Sequence, residues 1–338
     1  MTIEQLYSIY LQYPCVQTDT RKLKQGDLYF ALKGDQFDGN QFAAKAIESG
    51  AAYAIVDNPS VAVSEQMILV DDVLSTLQSL AKHHRLQFDI PFIAITGSNG
   101  KTTTKELILA VLCTTFKTYA TEGNLNNHIG VPLTLLKIKS DAQMAIIEMG
   151  ANHLHEIESY CLYALPDWGL ITNCGKAHLE GFGGEEGVRK GKGELFDFIR
   201  SKKGGIFRNA DLTYLASMAS GIDNQITYGE TNCTYQGKVF ASQPYLQVAV
   251  ISEKEECLLK TQLVGDYNFP NVMAAFAIGR HFGISVNAIQ SAIQDYTPSN
   301  SRSQLIKEGS TSIILDAYNT NPSSMKAAIQ NFEAADFP

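Results

Sequence analysis

Short apolar runs alternate with amphipathic stretches along most of the chain. Near the N-terminus, the apolar runs Leu28–Leu32 and Tyr53–Val56 have the length of strands. The pattern from Phe42 to Ser49 is helical, and a second helical pattern runs from Asp72 to Arg85. This mixture predicts a small α/β domain.

In the middle of the chain the pattern becomes that of a parallel sheet. The apolar run Phe92–Thr96 breaks at Gly97–Gly100, and a helical pattern begins at Lys101. Further apolar runs at Ala145–Ile147 and Gly169–Thr172 are separated by helical stretches. Continuous apolar strands between helices are typical of a parallel sheet covered on both faces. We therefore predict a central α/β domain in which a strand leads through a glycine loop into a helix.

The pattern changes twice more towards the C-terminus. Short alternating segments between Ile226 and Val264 predict antiparallel strands added to the central domain, and a helix is predicted from about Asn271 to Phe282. A strand at Ser312–Leu315 and a helix at Ser323–Phe332 then begin another α/β unit. Because one strand and one helix cannot close a core, this last unit is predicted to be incomplete.

Composition excludes several classes of partner. A net charge of -8 provides no broad cationic surface for nucleic acid or an acidic membrane. The start of the chain lacks a basic and apolar leader, and no run of about 18 apolar residues occurs. The six cysteines are dispersed without a CxxC pair, which argues against a zinc site or a disulfide framework. We expect a cytoplasmic protein that binds neither nucleic acid nor membrane and is a monomer.

The string Gly97–Thr102 is the main candidate for chemistry. At a junction between strand and helix, backbone N–H groups and the helix N-terminus converge on phosphate, while Lys101 adds a charge and Thr102 can ligate magnesium. The string matches only the end of the Walker pattern, since Ile95 stands where that pattern has its first glycine. On the motif alone, a glycine turn with an exposed lysine is the alternative.

Further strings resemble the Mur ligase family. Thr96–Thr103 is similar to the shorter nucleotide loop of these ligases and of their folate-polyglutamating relatives, which also lack the early glycine. Three more blocks follow in the family's order: Asn126–Pro132, Glu148–Ala151 and Asn173–Glu180. The N-terminal strings resemble the family's uridine-diphosphate domain: Asp19–Arg21, Gly26–Gly34 and Phe37–Gly39. Asp316–Met325 resembles the branch that joins D-alanyl-D-alanine to UDP-N-acetylmuramoyl tripeptide.

The resemblance implies a three-domain α/β architecture. Residues 1–85 would bind the UDP-linked substrate, residues 86–302 would form the central P-loop domain for ATP, and residues 303–338 would begin a Rossmann-like C-terminal domain that is truncated here. It also implies ATP-dependent amide formation through an acyl phosphate, with Mg²⁺, in peptidoglycan precursor synthesis. Because the family's third domain brings the amine and closes over ATP, we expect this chain to bind the UDP-linked substrate without joining the dipeptide.

The family's site residues carry over position by position. Residues expected to contact ATP are Gly97, Ser98, Asn99, Gly100, Lys101, Thr102, Thr103, Asn268, Asn271 and Arg302. Magnesium is expected on Thr102, Glu148, His178 and, if it is carbamylated, Lys192. Catalysis is assigned to Lys101, Glu148, His178, Lys192 and Arg302. Substrate contacts are expected at Lys33, Asp35, Asn126, Asn127, Asp316 and Asn319.

Two departures limit the transfer of these roles. The histidine of a Gly-x-His-Asn block is replaced by Tyr267, so its role does not carry over. Lys190 lies two residues before Lys192 and is the alternative position for the modified lysine. Singly, a strand-end glutamate, a histidine or a pair of lysines is more often a solvated side chain than a ligand. The ordered blocks are what favour the site.

Three functions stay open from the sequence. The first is the D-alanyl-D-alanine-adding ligase, and the second is another amide-forming ligase of the superfamily. The blocks Leu32–Gly34 and Tyr318–Pro322 argue against the second. The third is a module that binds nucleotide and UDP-sugar without turnover. Whether the tripeptide ends in lysine or diaminopimelate also stays open.

Overall fold

The structure, a computed structural model, describes residues 1–251, 256–298, 302, 304–309, 311–315 and 321–334. These residues form two compact units. The first unit comprises residues 1–90, 124–140 and 159–165, and the second comprises 91–123, 141–158 and the described part of 166–338. The predicted α/β class is confirmed. The domain boundaries at residues 85/86 and 302/303 stay predictions.

The described residues contain twelve α-helices: α1 (Ile3–Gln12), α2 (Ala43–Glu48), α3 (Val73–Arg85), α4 (Lys101–Leu112), α5 (Gly130–Leu135), α6 (Glu156–Ala164), α7 (Leu179–Phe182), α8 (Glu185–Ser201), α9 (Thr213–Met218), α10 (Phe269–His281), α11 (Val286–Asp295) and α12 (Pro322–Ala334). The predicted helices near residues 42–49, 72–85, 271–282 and 323–332 are confirmed within a few residues at each end.

The same residues contain seventeen β-strands: β1 (Val16–Gln17), β2 (Leu28–Phe30), β3 (Lys33–Gly34), β4 (Phe37–Asp38), β5 (Tyr53–Val56), β6 (Met67–Leu69), β7 (Phe92–Thr96), β8 (Thr118–Ala120), β9 (Met144–Glu148), β10 (Trp168–Ile171), β11 (Gly205–Asn209), β12 (Asn224–Gly229), β13 (Tyr235–Ala241), β14 (Gln247–Ile251), β15 (Glu256–Lys260), β16 (Gln304–Glu308) and β17 (Thr311–Leu315).

The first unit is built on a parallel sheet in the order β1-β2-β5-β6. Helix α3 begins where the sequence predicts, because the Asp72 carboxylate accepts a hydrogen bond from the Ser75 N–H at 2.6 Å and caps the helix. At the other end of α3, the buried His84 ring donates from Nε2 to the Ile138 carbonyl at 2.8 Å. Arg85 donates to the Leu165 carbonyl at 2.9 Å. These bonds join the segments 124–140 and 159–165 to the first unit.

The second unit contains a nine-stranded sheet in the order β15-β14-β13-β12-β11-β10-β7-β9-β8. Strand β7 lies between β9 and β10, and all three strands are parallel. After β7, the chain forms β8 and β9 on one side of β7 and then β10 on its other side. Every residue of β7 and β9 is buried, as expected for a parallel strand covered on both faces. Ligands bind at the carboxyl ends of strands at such a switch point, and the phosphate loop follows β7.

The prediction of antiparallel strands between Ile226 and Val264 is confirmed for β13, β14 and β15. It is wrong for β12, which pairs in parallel with both β11 and β13. Strand β12 is parallel to β11 because the connection between them passes through α9, and such a crossover lets the next strand run in the same direction. An alternating pattern indicates that one face of a strand is buried, but it does not show whether the strand is parallel or antiparallel to its neighbours.

The C-terminal segment contains the antiparallel hairpin β16–β17 and helix α12. The predicted strand at Ser312–Leu315 is confirmed, whereas β16 was not predicted. Asp316 and Asn319 lie outside the described residues. Among the described residues, no helix has the length and apolar character needed to cross a bilayer.

Candidate functional site

The phosphate loop adopts a backbone that needs glycine at two positions. Gly97 and Gly100 have φ angles of +143° and +79°, in the region that side chains rarely enter. A Cβ on Gly97 would overlap the Thr172 hydroxyl, and a Cβ on Gly100 would lie 2.7 Å from Asn271 Oδ1. The loop therefore passes close to neighbouring side chains, and only glycine fits there.

Substituting Gly100 by alanine is expected to weaken nucleotide binding by more than about tenfold, because the new methyl group meets Asn271 and shifts the loop. Gly283→Ala is the matched control, since Gly283 has a φ of +81° but a methyl group there would meet no atom within 4 Å. Because the two glycines have nearly the same positive φ, alanine strains the backbone by a similar amount in both variants. Calorimetric titration with an ATP analogue should show normal affinity for Gly283→Ala alone. Equal affinities in both variants would contradict the argument.

The end of β10 holds the loop in shape. The Thr172 hydroxyl donates to the Asn99 carbonyl at 2.6 Å. The Asn173 side chain bonds Asn99 twice, accepting from its N–H at 3.1 Å and donating to its carbonyl at 3.1 Å. The Ser98 N–H donates to the Asn173 carbonyl at 2.9 Å. The loop is thus held in place by the end of β10, the strand beside β7.

Lys101 lies inside the loop with its amine turned inward. Its Nζ donates to the carbonyls of Gly97 at 2.7 Å and Ser98 at 3.3 Å. Burial lowers the pKa of Lys101, the positive charge of Arg302 lowers it further, and the negative charge of Glu148 opposes both. The structure therefore brings three predicted residues within electrostatic range of one another. A polyphosphate would supply further negative charge to this half-buried amine.

Thr102 and Glu148 meet beside the loop. The Thr102 hydroxyl donates to Glu148 Oε1 at 3.1 Å, and both residues are buried. The Thr121 hydroxyl fixes the strand end by accepting from the Glu148 N–H at 2.9 Å. A hydroxyl and a carboxylate are the hard oxygen donors that Mg²⁺ prefers. No group of three or more His, Cys, Asp or Glu side chains able to hold a metal occurs in the described part of the chain, so water and phosphate would complete the shell, as is usual for Mg²⁺.

His178 and Lys192 lie on the same side of the site. Partial loss of solvent around the ring lowers the pKa of His178, and the charges of Lys192 and Lys101 lower it further, so this ring is within electrostatic range of both lysines. His178 is exposed and has a φ of +54°. Lys192 is 2% exposed, donates to the Ala151 carbonyl at 3.0 Å and lies 5.0 Å from the centre of the Phe182 ring. Burial lowers its pKa to about 7.

Glu194 is a buried residue of this region that the sequence did not single out. Its carboxylate accepts from the His155 N–H at 2.6 Å and from the Glu158 N–H at 3.0 Å, at the start of α6. Lys192, two residues earlier on α8, bonds the Ala151 carbonyl. Helix α8 therefore holds both ends of the turn that follows Glu148.

Asn268 and Asn271, which were predicted to contact ATP, lie behind the loop. Asn271 Oδ1 accepts from the Thr104 hydroxyl at 3.0 Å, and its Nδ2 donates to Asn268 Oδ1 at 2.9 Å. These bonds support the first turn of α4. The C-terminal segment also reaches the loop, because Asn321 Nδ2 donates to Asn99 Oδ1 at 2.6 Å. This last contact was not predicted.

Four of the six predicted substrate residues lie in the first unit. Lys33 and Asp35 are exposed at the hairpin β3–β4, and Lys33 Nζ pairs with Asp57 Oδ1 at 2.8 Å. The Asn127 side chain caps the next turn by accepting from the Gly130 N–H at 2.8 Å. Asn126 lies beside it. The contacts of these four residues with substrate stay predictions.

A glycine loop after the switch-point strand, with an inward lysine and a hydroxyl–carboxylate pair beside it, defines a phosphate-loop nucleotide-binding protein. Residues 95–279 match the family model of the Mur ligase middle domain, and residues 12–85 match that of the Mur ligase family catalytic domain. The chain belongs to the Mur ligase family, which confirms the resemblance seen in the sequence.

Similar proteins include two UDP-N-acetylmuramoyl-tripeptide–D-alanyl-D-alanine ligases. The one from Bacillus subtilis is 37% identical over 336 residues, which cover 95% of this chain and 70% of the relative. The one from Escherichia coli is 35% identical, with 93% and 71% covered. Among solved structures, a crystal structure of MurF from Acinetobacter baumannii matches with a TM-score of 0.87 and 30% identity, covering 95% of this chain and 71% of that one.

Proposed function

We propose that this chain carries the nucleotide and UDP-substrate sites of an ATP-dependent ligase that joins D-alanyl-D-alanine to UDP-N-acetylmuramoyl tripeptide in peptidoglycan precursor synthesis. The convergence of Lys101, Thr102 and Glu148 at the carboxyl end of β7 and β9 carries the ATP-dependent part of the proposal. The choice of substrates is supported by the names of relatives up to 37% identical over nearly the whole chain.

The reaction gathers negative charge, and the site supplies fixed positive charge. A carboxylate oxygen of the muramoyl peptide attacks the γ-phosphorus of ATP, the bond to ADP breaks, and an acyl phosphate forms. The amine then attacks the acyl carbon, phosphate leaves with the electron pair of the C–O bond, and the amine loses a proton. Lys101 and Arg302 would stabilise the transferring phosphoryl group, since positioning and charge are the protein's main contribution to such a step.

Thr102 and Glu148 would hold Mg²⁺ against the phosphates, with His178 near a second position. When bound, Mg²⁺ neutralises phosphate charge and orients the phosphoryl group. Thr102 offers its hydroxyl oxygen while its proton stays directed at Glu148 Oε1, and burial of both side chains keeps bulk water away from this pair.

Lys192, and not Lys190, is the proposed position of the carbamate. A carbamate forms when a neutral amine adds to carbon dioxide and releases a proton, so the amine must lose its charge near neutral pH. With its pKa lowered to about 7 by burial, Lys192 is partly neutral under these conditions. Lys190 is exposed on the same helix. We therefore propose Lys192, whose buried amine is partly neutral and lies within electrostatic range of Lys101.

The remaining assignments complete the proposal. Lys33, Asp35, Asn126 and Asn127 would bind the UDP-linked substrate, and their exposed or loop positions in the first unit leave them accessible to it. The proposed protein acts in the cytoplasm, where UDP-linked precursors and ATP occur together, and it acts as a monomer.

The function is tested with the product of the complete open reading frame that contains these residues, because residues 1–338 by themselves are expected to bind substrate without ligation. That product is mixed with ATP, Mg²⁺, UDP-N-acetylmuramoyl tripeptide and D-alanyl-D-alanine. We expect phosphate release that requires both substrates, and a ligated product in the mass spectrum. D-Glutamate or diaminopimelate in place of the dipeptide should give no product. Turnover with either of them instead would assign the protein to another branch, and nucleotide binding without any turnover would favour a binding module.

A further inference from the structure

Tyr296, six positions before Arg302, is bonded to the phosphate-loop helix α4. Tyr296 directly follows α11, and its hydroxyl donates to Glu106 Oε2 at 2.6 Å. Glu106 belongs to α4, five positions after Lys101. Tyr296 precedes Arg302 by only six positions, so fixing Tyr296 limits where Arg302 can lie relative to the loop.

The anchor on α4 is itself fixed. Glu106 Oε1 lies 4.0 Å from Lys105 Nζ, and Lys105 is 3% exposed. The Lys105 amine donates to the Thr121 carbonyl at 2.6 Å. The Thr121 hydroxyl in turn accepts from the N–H of Glu148. Glu106 thus belongs to the same bonded framework as the proposed magnesium ligand.

Arg302 acts electrostatically on both ends of this arrangement. Burial raises the pKa of Tyr296, the bonded Glu106 raises it further, and Arg302 lowers it. Arg302 also lowers the pKa of Lys101. The guanidinium is therefore within electrostatic range of Tyr296 and of Lys101 inside the loop.

We propose that Tyr296 is a positioning residue that, through its hydrogen bond to Glu106 of α4, keeps Arg302 facing the nucleotide phosphates beside Lys101. This inference rests on the proposed ATP site. As a positioning residue, Tyr296 acts through Arg302. Its ring also packs against the core of the second unit, so the hydroxyl must be separated from the ring in any test.

The test is a double-mutant cycle on the affinity for a non-hydrolysable ATP analogue with Mg²⁺, measured by calorimetry. Tyr296→Phe keeps the ring and removes the hydroxyl, and we expect it to weaken binding about five- to tenfold. Arg302→Ala should weaken binding more. In the Arg302→Ala background, Tyr296→Phe should change affinity by less than about twofold, because the residue it positions is gone.

Tyr119→Phe is the matched control. The Tyr119 hydroxyl donates to Asp141 Oδ1 at 2.7 Å. This is the same kind of tyrosine–carboxylate bond in the same unit, but it is distant from Arg302 in the sequence. This variant should bind like the wild type. Wild-type affinity in Tyr296→Phe, or the same loss with and without Arg302, would overturn the proposal. A wild-type protein that binds no nucleotide would instead overturn the proposed ATP site.

Discussion

Replacing Lys101 by alanine is expected to abolish measurable ATP binding and to leave the protein folded. The amine lies inside the loop, where we propose that it contacts the phosphates of bound ATP, and charge-assisted bonds of this kind are worth about 1.5–3 kcal/mol each. Losing one or two of them corresponds to a fall in affinity of about 10- to 10⁴-fold. Titration calorimetry with an ATP analogue measures the effect.

The stability of this variant follows from the sign of the pKa shift. The pKa of Lys101 is lower in the folded state than in the unfolded chain. Below the pKa of the unfolded chain, the charge on Lys101 therefore lowers the free energy of unfolding. This destabilisation fades as the pH rises towards the pKa of the unfolded chain. Alanine removes the cost at neutral pH. Thermal unfolding of Lys101→Ala should therefore occur no lower than in the wild type. Lys117→Ala, at an exposed lysine after α4, is the control for charge. Full affinity in folded Lys101→Ala would refute the assignment of the loop.

Glu148→Gln is expected to remove the magnesium dependence of nucleotide binding. Glutamine has the same shape and can still accept from the Thr102 hydroxyl, but it lacks the charge that attracts the cation. We expect affinity with Mg²⁺ to fall more than about tenfold, while affinity without Mg²⁺ stays the same. Calorimetry with and without the metal separates the two effects.

His178→Ala should show the same pattern with a smaller loss, because His178 is exposed and reaches the site from its rim. Glu158→Gln is a control, since its side chain is 58% exposed and pairs with His155. Binding of the UDP-linked substrate should be intact in all three variants. If Glu148→Gln and His178→Ala both keep the wild-type response to Mg²⁺, neither residue belongs to the metal site.

The loop and its strand were predictable because their signals are local. The run Phe92–Thr96 is a buried strand as predicted, and Gly97 and Gly100 occupy backbone conformations that favour glycine. The ordered blocks also pointed to Glu148, and the family resemblance pointed to Lys192; the structure buries both side chains. Burial, in turn, distinguishes Lys192 from Lys190, a choice that the sequence left open.

The supporting residues could not be found in this way. Glu194 caps α6 from another helix, and Lys105 bonds a carbonyl on a neighbouring strand, so neither bond has a local sequence signal. Tyr296 bonds a carboxylate 190 positions earlier in the chain. Asn268 and Asn271 were predicted as ATP contacts, and the structure shows them bonded to each other behind α4. Their contact with ATP stays a prediction.

The phosphate loop is held by residues far apart in the chain, which has a consequence for the order of folding. Asn99 bonds Asn173 and Asn321, at separations of 74 and 222 residues, and Thr104 bonds Asn271 at a separation of 167. Contacts of such long range close late, because the entropy of large loops must be overcome first. Nucleotide therefore meets a competent loop only after the second unit has assembled. By mass action, ATP in the cell stabilises the finished fold over its precursors, so the substrate also selects chains that have folded to completion.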